Sequence, residues 1–227
     1  MAKDIKEYIS KCIICIRAKG SNNKQVKGGH LVIPPRAGHT WAIDIVGSLP
    51  KSGFYYKILV MVCTLSRFTW ADHLTAGTAV EVIRKLEDLF HRYGSPVVLV
   101  SDNAGCFTGK EFKNYLSFRN IHHHLTTPYS PRSNALAERS IRNVLSVLRV
   151  LCRDKPSSWH SYLPTVCGAI NEGFNTSIRE RPYFLFFGRD PNPGFSILQD
   201  KISVCESDET YQITKYSYDL ASRELEK

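Results

Sequence analysis

Residues 55–63 constrain the fold of this chain more than any other segment. They read Y-Y-K-I-L-V-M-V-C, a strongly β-prone and mostly apolar run. A strand of this composition is typical of the middle of a sheet that is covered on both faces. The segment therefore predicts a layered α/β fold.

Further strand and helix patterns follow one another along the chain. Strands are predicted at residues 41–47, 68–74, 97–101 and 121–125, and helices at residues 78–93, 110–118 and 158–174. A long helix is also predicted after an N-cap at Ser133 or Asn134. The three strands before residue 75 form an antiparallel meander, because only short turns join them. The strand at residues 97–101 follows a helix and is therefore predicted to be parallel to a neighbour.

The charge of the chain is unevenly distributed. The net charge is +9, and residues 200–227 contain seven acidic and four basic residues, so residues 1–199 carry +12. A basic body of this size predicts a polyanionic partner, most simply nucleic acid. The alternative is a basic protein that lacks a basic cleft. The longest apolar run, residues 58–63, is too short to span a bilayer, so no membrane partner is expected and the chain is interpreted as intracellular.

The seven cysteines do not resemble a disulfide framework, because their number is odd and their spacing is irregular. Only Cys12 and Cys15 form a close pair. A C-x-x-C pair is half of a zinc site or a redox pair, and no predicted strand precedes this one to favour a redox role. The histidines downstream, His30 and His39, flank a proline-rich connector. The pair is therefore expected to be half of an incomplete zinc site.

A Pro- and Ser-rich loop leads into the long helix, which carries an acid, Glu138, in its first turns. The helical spacing predicts one face packed on the core and an opposite, charged face. The core face comprises Ile141, Val144, Leu148 and Leu151, and the charged face comprises Glu138, Arg142, Arg149 and Arg153. A carboxylate among arginines suits a metal site beside a phosphate backbone. On the helix alone, however, an ordinary Glu138–Arg142 ion pair is the favoured explanation.

Three acidic residues lie on separate predicted elements. Asp44 interrupts an apolar strand, where a carboxylate is costly unless it is paired or bound to a metal. Asp102 follows a buried strand, at the kind of strand end where ligands gather in α/β sheets, and Glu138 lies on the helix. Together they would hold two Mg²⁺ or Mn²⁺ ions about 3.5–4 Å apart, an arrangement that supports in-line attack on a phosphodiester.

Five motifs, in order, resemble the integrases of retroviruses and long-terminal-repeat retrotransposons, especially the Ty3/gypsy-like group. They are C-I-I-C, I-D-I-V-G-S-L-P, V-S-D-N-A-G-C-F, T-T-P-Y-S-P-R-S-N-A-L-A-E-R and P-Y-F-L-F-F-G-R, all within residues 4–190. Thirty-five residues separate Asp102 from Glu138, which is the spacing of that family's D,D-35-E signature.

The resemblance implies an α/β, RNase H-like fold with a mixed five-stranded sheet flanked by helices. It implies that Asp44, Asp102 and Glu138 are the catalytic residues and the ligands of two Mg²⁺ or Mn²⁺ ions. The implied function is DNA integration, in which water processes the 3′ ends of element DNA and the new 3′-hydroxyl is transferred into target DNA. A homo-oligomer acting in the nucleus, after passage through the cytoplasm, is also implied. The expected DNA contacts are Tyr129, Arg132, Arg139, Arg142 and Arg149.

The predicted organisation has four parts: a remnant of an N-terminal zinc module at residues 1–16, a basic linker at 17–38, an integrase catalytic core at 39–194, and an acidic tail or linker at 195–227. The family's zinc module has two histidines before its C-x-x-C pair, and this chain begins after their expected position. Met1 is therefore expected to be an internal residue of a longer polyprotein or the start of a shortened product. In the loop, Ser130, Arg132 and Ala135 replace the family's usual His, Gln and Gly, which is expected to affect catalytic efficiency more than the fold.

Two other functions stay open. An integrase-derived DNA- or chromatin-binding protein would keep the acids without catalysing, which the missing zinc-binding histidines favour. An RNase H-like nuclease would share the metal chemistry, although the P-Y-S-P loop motif does not support it. The run His122, His123 and His124 is not expected to bind a metal, because neighbouring residues of a strand point to opposite faces.

Overall fold

A computed structural model describes residues 34–126, 135–153 and 155–191. The strands are β1 (Thr40–Val46), β2 (Lys57–Cys63), β3 (Thr69–Leu74), β4 (Val98–Ser101) and β5 (His122–Leu125). The helices are α1 (Ala79–Tyr93), α2 (Gly105–Thr108), α3 (Lys110–Phe118), α4 (Ala135–Leu151), α5 (Trp159–Glu172) and α6 (Pro182–Phe187), and a 3₁₀ turn, Pro156–Ser158, precedes α5. All five predicted strands are confirmed, whereas α2 was not predicted. Within these segments, no helix is long and apolar enough to cross a membrane.

The five strands form one mixed sheet in the order β3-β2-β1-β4-β5. The pairs β1–β2 and β2–β3 are antiparallel, which confirms the predicted meander. Strand β4 is parallel to both β1 and β5, as predicted for a strand entered from a helix. In β2, every residue from Ile58 to Cys63 is buried, so the apolar run does occupy a covered position.

Helices cover both faces of the sheet. On one face, Ile43, Leu59 and Met61 belong to a core cluster that includes residues of α1 and α3. On the other face, Ile58 and Val60 belong to a cluster that includes residues of α4 and α5. Because side chains alternate along a strand, each residue of β1 and β2 is assigned to one helical layer by its position in the sequence.

The buried face of α4 differs from the prediction at its C-terminal end. Ile141, Val144 and Leu148 are buried as predicted, but Leu151 is 39% exposed and the prediction for it was wrong. Cys152, which is 7% exposed, takes its place. Leu151 is the last residue of α4, and the turn that follows it buries Cys152 instead of continuing the helical stripe.

Strand β3 lies at an edge of the sheet, and a side chain of α5 closes part of that edge. Asn171 is buried, its Oδ1 accepts the backbone N–H of Thr69 at 2.7 Å, and its Nδ2 donates to the backbone carbonyl of Thr69 at 2.8 Å. The side-chain amide thus takes the position of a neighbouring strand's peptide group. An edge satisfied in this way is protected against pairing with another chain.

Candidate active site

The parallel pairing of β1 and β4 brings two of the predicted acids side by side. Ile43 lies opposite Ser101 in this pairing. The next residue of each strand is an aspartate, so Asp44 and Asp102 continue the register as neighbours. Directly opposed residues of adjacent strands point to the same face of a sheet, and both carboxylates therefore share one face.

Helix α4 brings the third acid to the same face. Ala137 is buried and packs in a cluster with Ala42 and Val100, the residues that lie two positions before the two aspartates. These small side chains allow the start of α4 to lie close to the sheet. Glu138, the next residue, is exposed in the first turn of α4. The sheet face and the helix therefore place one acid each on β1, on α4 and at the end of β4.

The three carboxylates act on one another electrostatically. Burial, with smaller contributions from the charges of Asp102 and Glu138, raises the pKa of Asp44 to about 6. A hydrogen bond from the backbone N–H of Ile45 to Asp44 Oδ1, at 2.7 Å, acts in the opposite direction. In the absence of a cation, this cluster of like charges is unfavourable, which is the state expected of a site that binds one.

The backbone around Asp102 is held from two sides. Asp102 Oδ1 accepts the N–H of Ala104 at 3.1 Å, and the hydroxyl of Ser101 donates to the Asp102 carbonyl at 2.9 Å. The Ser101 hydroxyl also lies 2.8 Å from Nε2 of His123. Burial lowers the pKa of His123, so the ring is neutral, and its Nε2–H donates because the hydroxyl proton is already used. No pattern in the sequence indicated this contact.

The end of β5 is tied to the same strand end. The N–H of Thr126 donates to the Ser101 carbonyl at 2.9 Å, and the Asn103 side chain donates to the Thr126 carbonyl at 2.8 Å. Thr126 directly precedes residues 127–134, which carry the P-Y-S-P motif. The asparagine beside Asp102 therefore anchors the residue that comes before this segment.

The donor set fits a hard divalent cation, because carboxylate oxygens are the ligands that Mg²⁺ and Mn²⁺ prefer. A cation would also offset the repulsion that raises the pKa of Asp44. In the part of the chain that the structure describes, no three His, Cys, Asp or Glu side chains are arranged to hold one ion. Joint coordination therefore requires a change of side-chain conformation, for which the exposed Glu138 has the freedom.

The other predicted site residues fall into two groups. The arginines Arg139, Arg142 and Arg149 are exposed on α4, as the charged face required. The residues Cys12, Cys15, Tyr129 and Arg132 lie outside the described residues, so their roles stay predictions. The histidines of β5 do alternate, with His122 and His124 exposed and His123 partly buried.

Residues 34–131 match the family model of the integrase core domain. The Pro-Pol polyprotein of feline foamy virus is 32% identical over 196 residues, which are 86% of this chain and 17% of that polyprotein. The Transposon Tf2-3 polyprotein of Schizosaccharomyces pombe is 25% identical over 221 residues, which are 93% of this chain and 16% of the polyprotein. The chain therefore spans only a small part of the length of these relatives.

Solved structures with the same fold are integrases. The simian T-cell lymphotropic virus intasome, in complex with the PP2A regulatory subunit B56 gamma, matches with a TM-score of 0.65 at 22% identity, over 88% of this chain and 73% of that chain. The HTLV-2 integrase catalytic core domain, in complex with magnesium, matches with a TM-score of 0.57 at 18% identity, over 67% and 98%. These likenesses confirm the mixed five-stranded, RNase H-like fold. The match of residues 34–131 to the domain model, together with the 32% identity to the feline foamy virus polyprotein, shows that this part of the chain belongs to the integrase core domain family.

Proposed function

We propose that this chain is the catalytic core of a DNA integrase, which processes the 3′ ends of element DNA and transfers them into target DNA. One observation carries the proposal: Asp44, Asp102 and Glu138, from three separate elements, form one electrostatic cluster on a single face of the sheet. Membership of the integrase core domain family supports the reaction class. A cluster of structural ion pairs would instead include cations among the groups that shift the pKa of Asp44.

We infer a division of labour among the three acids. Asp44 and Asp102 hold a cation from the sheet, and their backbone contacts keep both carboxylates in place. Oδ1 of Asp44 accepts the Ile45 N–H, and Asp44 would hold the cation through its carboxylate. Glu138 completes the site from the more exposed first turn of α4. A pair of divalent cations, when bound, activates the attacking oxygen and stabilises the leaving oxygen of the phosphodiester.

Protonation of Asp44 competes with metal binding. Since its pKa is about 6 in the metal-free protein, part of the Asp44 population is protonated in mildly acidic solution. Binding of a cation releases that proton, so the affinity for the cation falls as the pH falls through 6. Mg²⁺ or Mn²⁺ is proposed as the cation, supported by the magnesium complex of the HTLV-2 integrase core.

The proposed substrate and assembly follow from charge and from the relatives. The exposed arginines of α4, Arg139, Arg142 and Arg149, lie on the helix that carries Glu138 and are suited to contact the DNA backbone. The HTLV-2 core is described in dimeric and trimeric forms, and the simian virus protein in an intasome. These forms support a homo-oligomer engaged with element ends and target DNA. Nuclear action is part of the same proposal, because target DNA lies there.

A strand-transfer assay with Mn²⁺ and duplex oligonucleotides tests the proposal. The full chain is expected to form joined products, and Asp44→Asn and Asp102→Asn are expected to abolish them while DNA affinity is retained. Asp88→Asn, at an exposed aspartate of α1, is the matched control and is expected to leave the products unchanged. A well-folded chain that binds DNA but forms no product would refute the enzymatic function and support an integrase-derived DNA-binding protein.

A further inference from the structure

Arg67 combines two features that structural residues usually avoid. It lies in the turn between β2 and β3 with a φ of 62°, in the left-handed region that favours glycine. Its Nη1 is buried, and it has no hydrogen-bond partner within the part of the chain that the structure describes. A buried guanidinium nitrogen without a hydrogen-bond partner is unfavourable.

The surroundings of Arg67 add to this cost. Burial, with a smaller contribution from the positive charge of Arg139 on α4, lowers the pKa of Arg67 to about 10. Only the thiol of Cys63 acts in the opposite direction among the described groups that shift this pKa. Two arginines are thus held near one another with no carboxylate, among the described residues, acting on the buried one.

We propose that Arg67 and Arg139 form a binding site for a phosphate group, and that this group belongs to the DNA backbone. Unfavourable backbone conformations and unpaired buried charges persist where a function uses them. The planar guanidinium fork matches the oxygens of a phosphate better than a point charge does. Arg67 as a whole is only partly buried, and binding of the ligand would involve a change of rotamer that exposes Nη1.

The position of Arg139 supports DNA as the source of the phosphate. Arg139 directly follows Glu138 in the first turns of α4, so a strand bound at the three carboxylates passes close to it. The two arginines alone support the binding of a phosphate group, whereas the assignment of that phosphate to DNA rests on the proposed function. Free inorganic phosphate is the other source of the same chemistry, and the experiment separates the two.

Stability distinguishes an anion site from a structural arginine. Arg67→Met keeps most of the aliphatic stem and removes the buried charge. If Arg67 were structural, this variant would be less stable than the wild type. If Arg67 is kept for an anion, the variant is expected to be at least as stable as the wild type without a ligand, as measured by urea unfolding. Arg84→Met, at an exposed arginine of α1 on the other face of the sheet, is the control with the same change in net charge.

Fluorescence anisotropy with duplex DNA, over a range of salt concentrations, tests the ligand. Arg67→Met is expected to weaken binding roughly tenfold and to reduce the slope of log affinity against log salt by about one, while Arg84→Met keeps the wild-type slope. Arg67→Lys, which keeps the charge without the fork, is expected to bind DNA with intermediate affinity. Inorganic phosphate is expected to raise the thermal midpoint of the wild type but not that of Arg67→Met.

The outcomes are distinct. Equal salt slopes for Arg67→Met and Arg84→Met would overturn the DNA assignment, and a phosphate effect lost only in Arg67→Met would then assign the site to free phosphate. Equal slopes together with equal phosphate effects would overturn the site altogether. Strand transfer is measured on the same preparations, because an inactive wild type with the expected Arg67 results would refute the enzymatic function and leave the anion site standing.

Discussion

Replacing Asp44 by asparagine is expected to stabilise the metal-free protein at neutral pH. Folding raises the pKa of this carboxyl from 3.8 to about 6, chiefly because burial disfavours the charged form. This rise in the pKa corresponds to about 3 kcal/mol in the free energy of unfolding when the carboxylate is charged. Partial contact with solvent screens the charge and reduces the expected gain to about 1–2 kcal/mol. Asparagine keeps the oxygen that accepts the Ile45 N–H.

The extra stability of Asp44→Asn over the wild type is expected to increase as the pH rises. Folded protein binds the Asp44 proton more tightly than the unfolded chain does, so this group's contribution to stability is greatest below about pH 4. That contribution declines as the pH rises to about 6 and is constant above it. The asparagine variant lacks this dependence. Its advantage over the wild type is therefore expected to be absent near pH 4 and complete near pH 7.

Urea unfolding at a series of pH values, with a metal chelator present, measures this difference. Asp88→Asn is the control: it removes an exposed charge that pairs with Arg92 and is expected to cost no more than about 1 kcal/mol. Addition of Mg²⁺ is expected to stabilise the wild type by mass action and to leave Asp44→Asn unchanged. The reasoning is refuted if Asp44→Asn is less stable than the wild type near pH 7 without metal, or if the difference persists on acidification.

Three further substitutions test other parts of the structure. Asn171→Ala leaves the backbone N–H and carbonyl of Thr69 without partners at the buried edge of β3, and urea unfolding is expected to show a loss of about 2–4 kcal/mol. Burial lowers the pKa of His73, so the wild type is expected to lose stability as the pH falls below about 6.5, and His73→Gln is expected to show a smaller drop in thermal midpoint. His123→Leu removes the donor to Ser101 and is expected to weaken Mn²⁺ binding roughly tenfold, whereas His123→Gln, which supplies an amide donor, is expected to retain most of it.

The strands and long helices were predictable because their burial requires apolar residues at characteristic positions in the sequence. The uniformly apolar run of β2 reflects its cover on both faces, and the stripe of α4 reflects its contact with one face. The short helix α2 was not predicted, because four residues are fewer than the periodicity needs to show itself. Leu151 was assigned to the wrong face because spacing alone does not reveal that α4 ends at Leu151 and that the following turn buries Cys152.

The site was predictable only in part, because its members meet through tertiary contacts. Asp44 was conspicuous as a charge within an apolar strand, but no property of the sequence shows that Ile43 lies opposite Ser101. The three acids were grouped from their positions on separate predicted elements, and the family motifs supported that grouping. The Ser101–His123 contact joins residues 22 positions apart, and the cost carried by Arg67 depends on the burial of one nitrogen atom. Neither the Ser101–His123 contact nor the burial of the Arg67 nitrogen can be recognised from a sequence pattern.

Two adjacent residues in the first turns of α4, Glu138 and Arg139, carry opposite charges, and each acts on a group of its own sign. Glu138 raises the pKa of Asp44, and its neighbour Arg139 lowers the pKa of Arg67. Glu138 therefore repels the negative charge of Asp44, and Arg139 repels the positive charge of Arg67. A cation alone relieves only the acids, and an anion alone relieves only the arginines. A divalent cation bound together with a DNA phosphate relieves both, so the electrostatics of α4 favour the combination of ligands that phosphodiester chemistry requires.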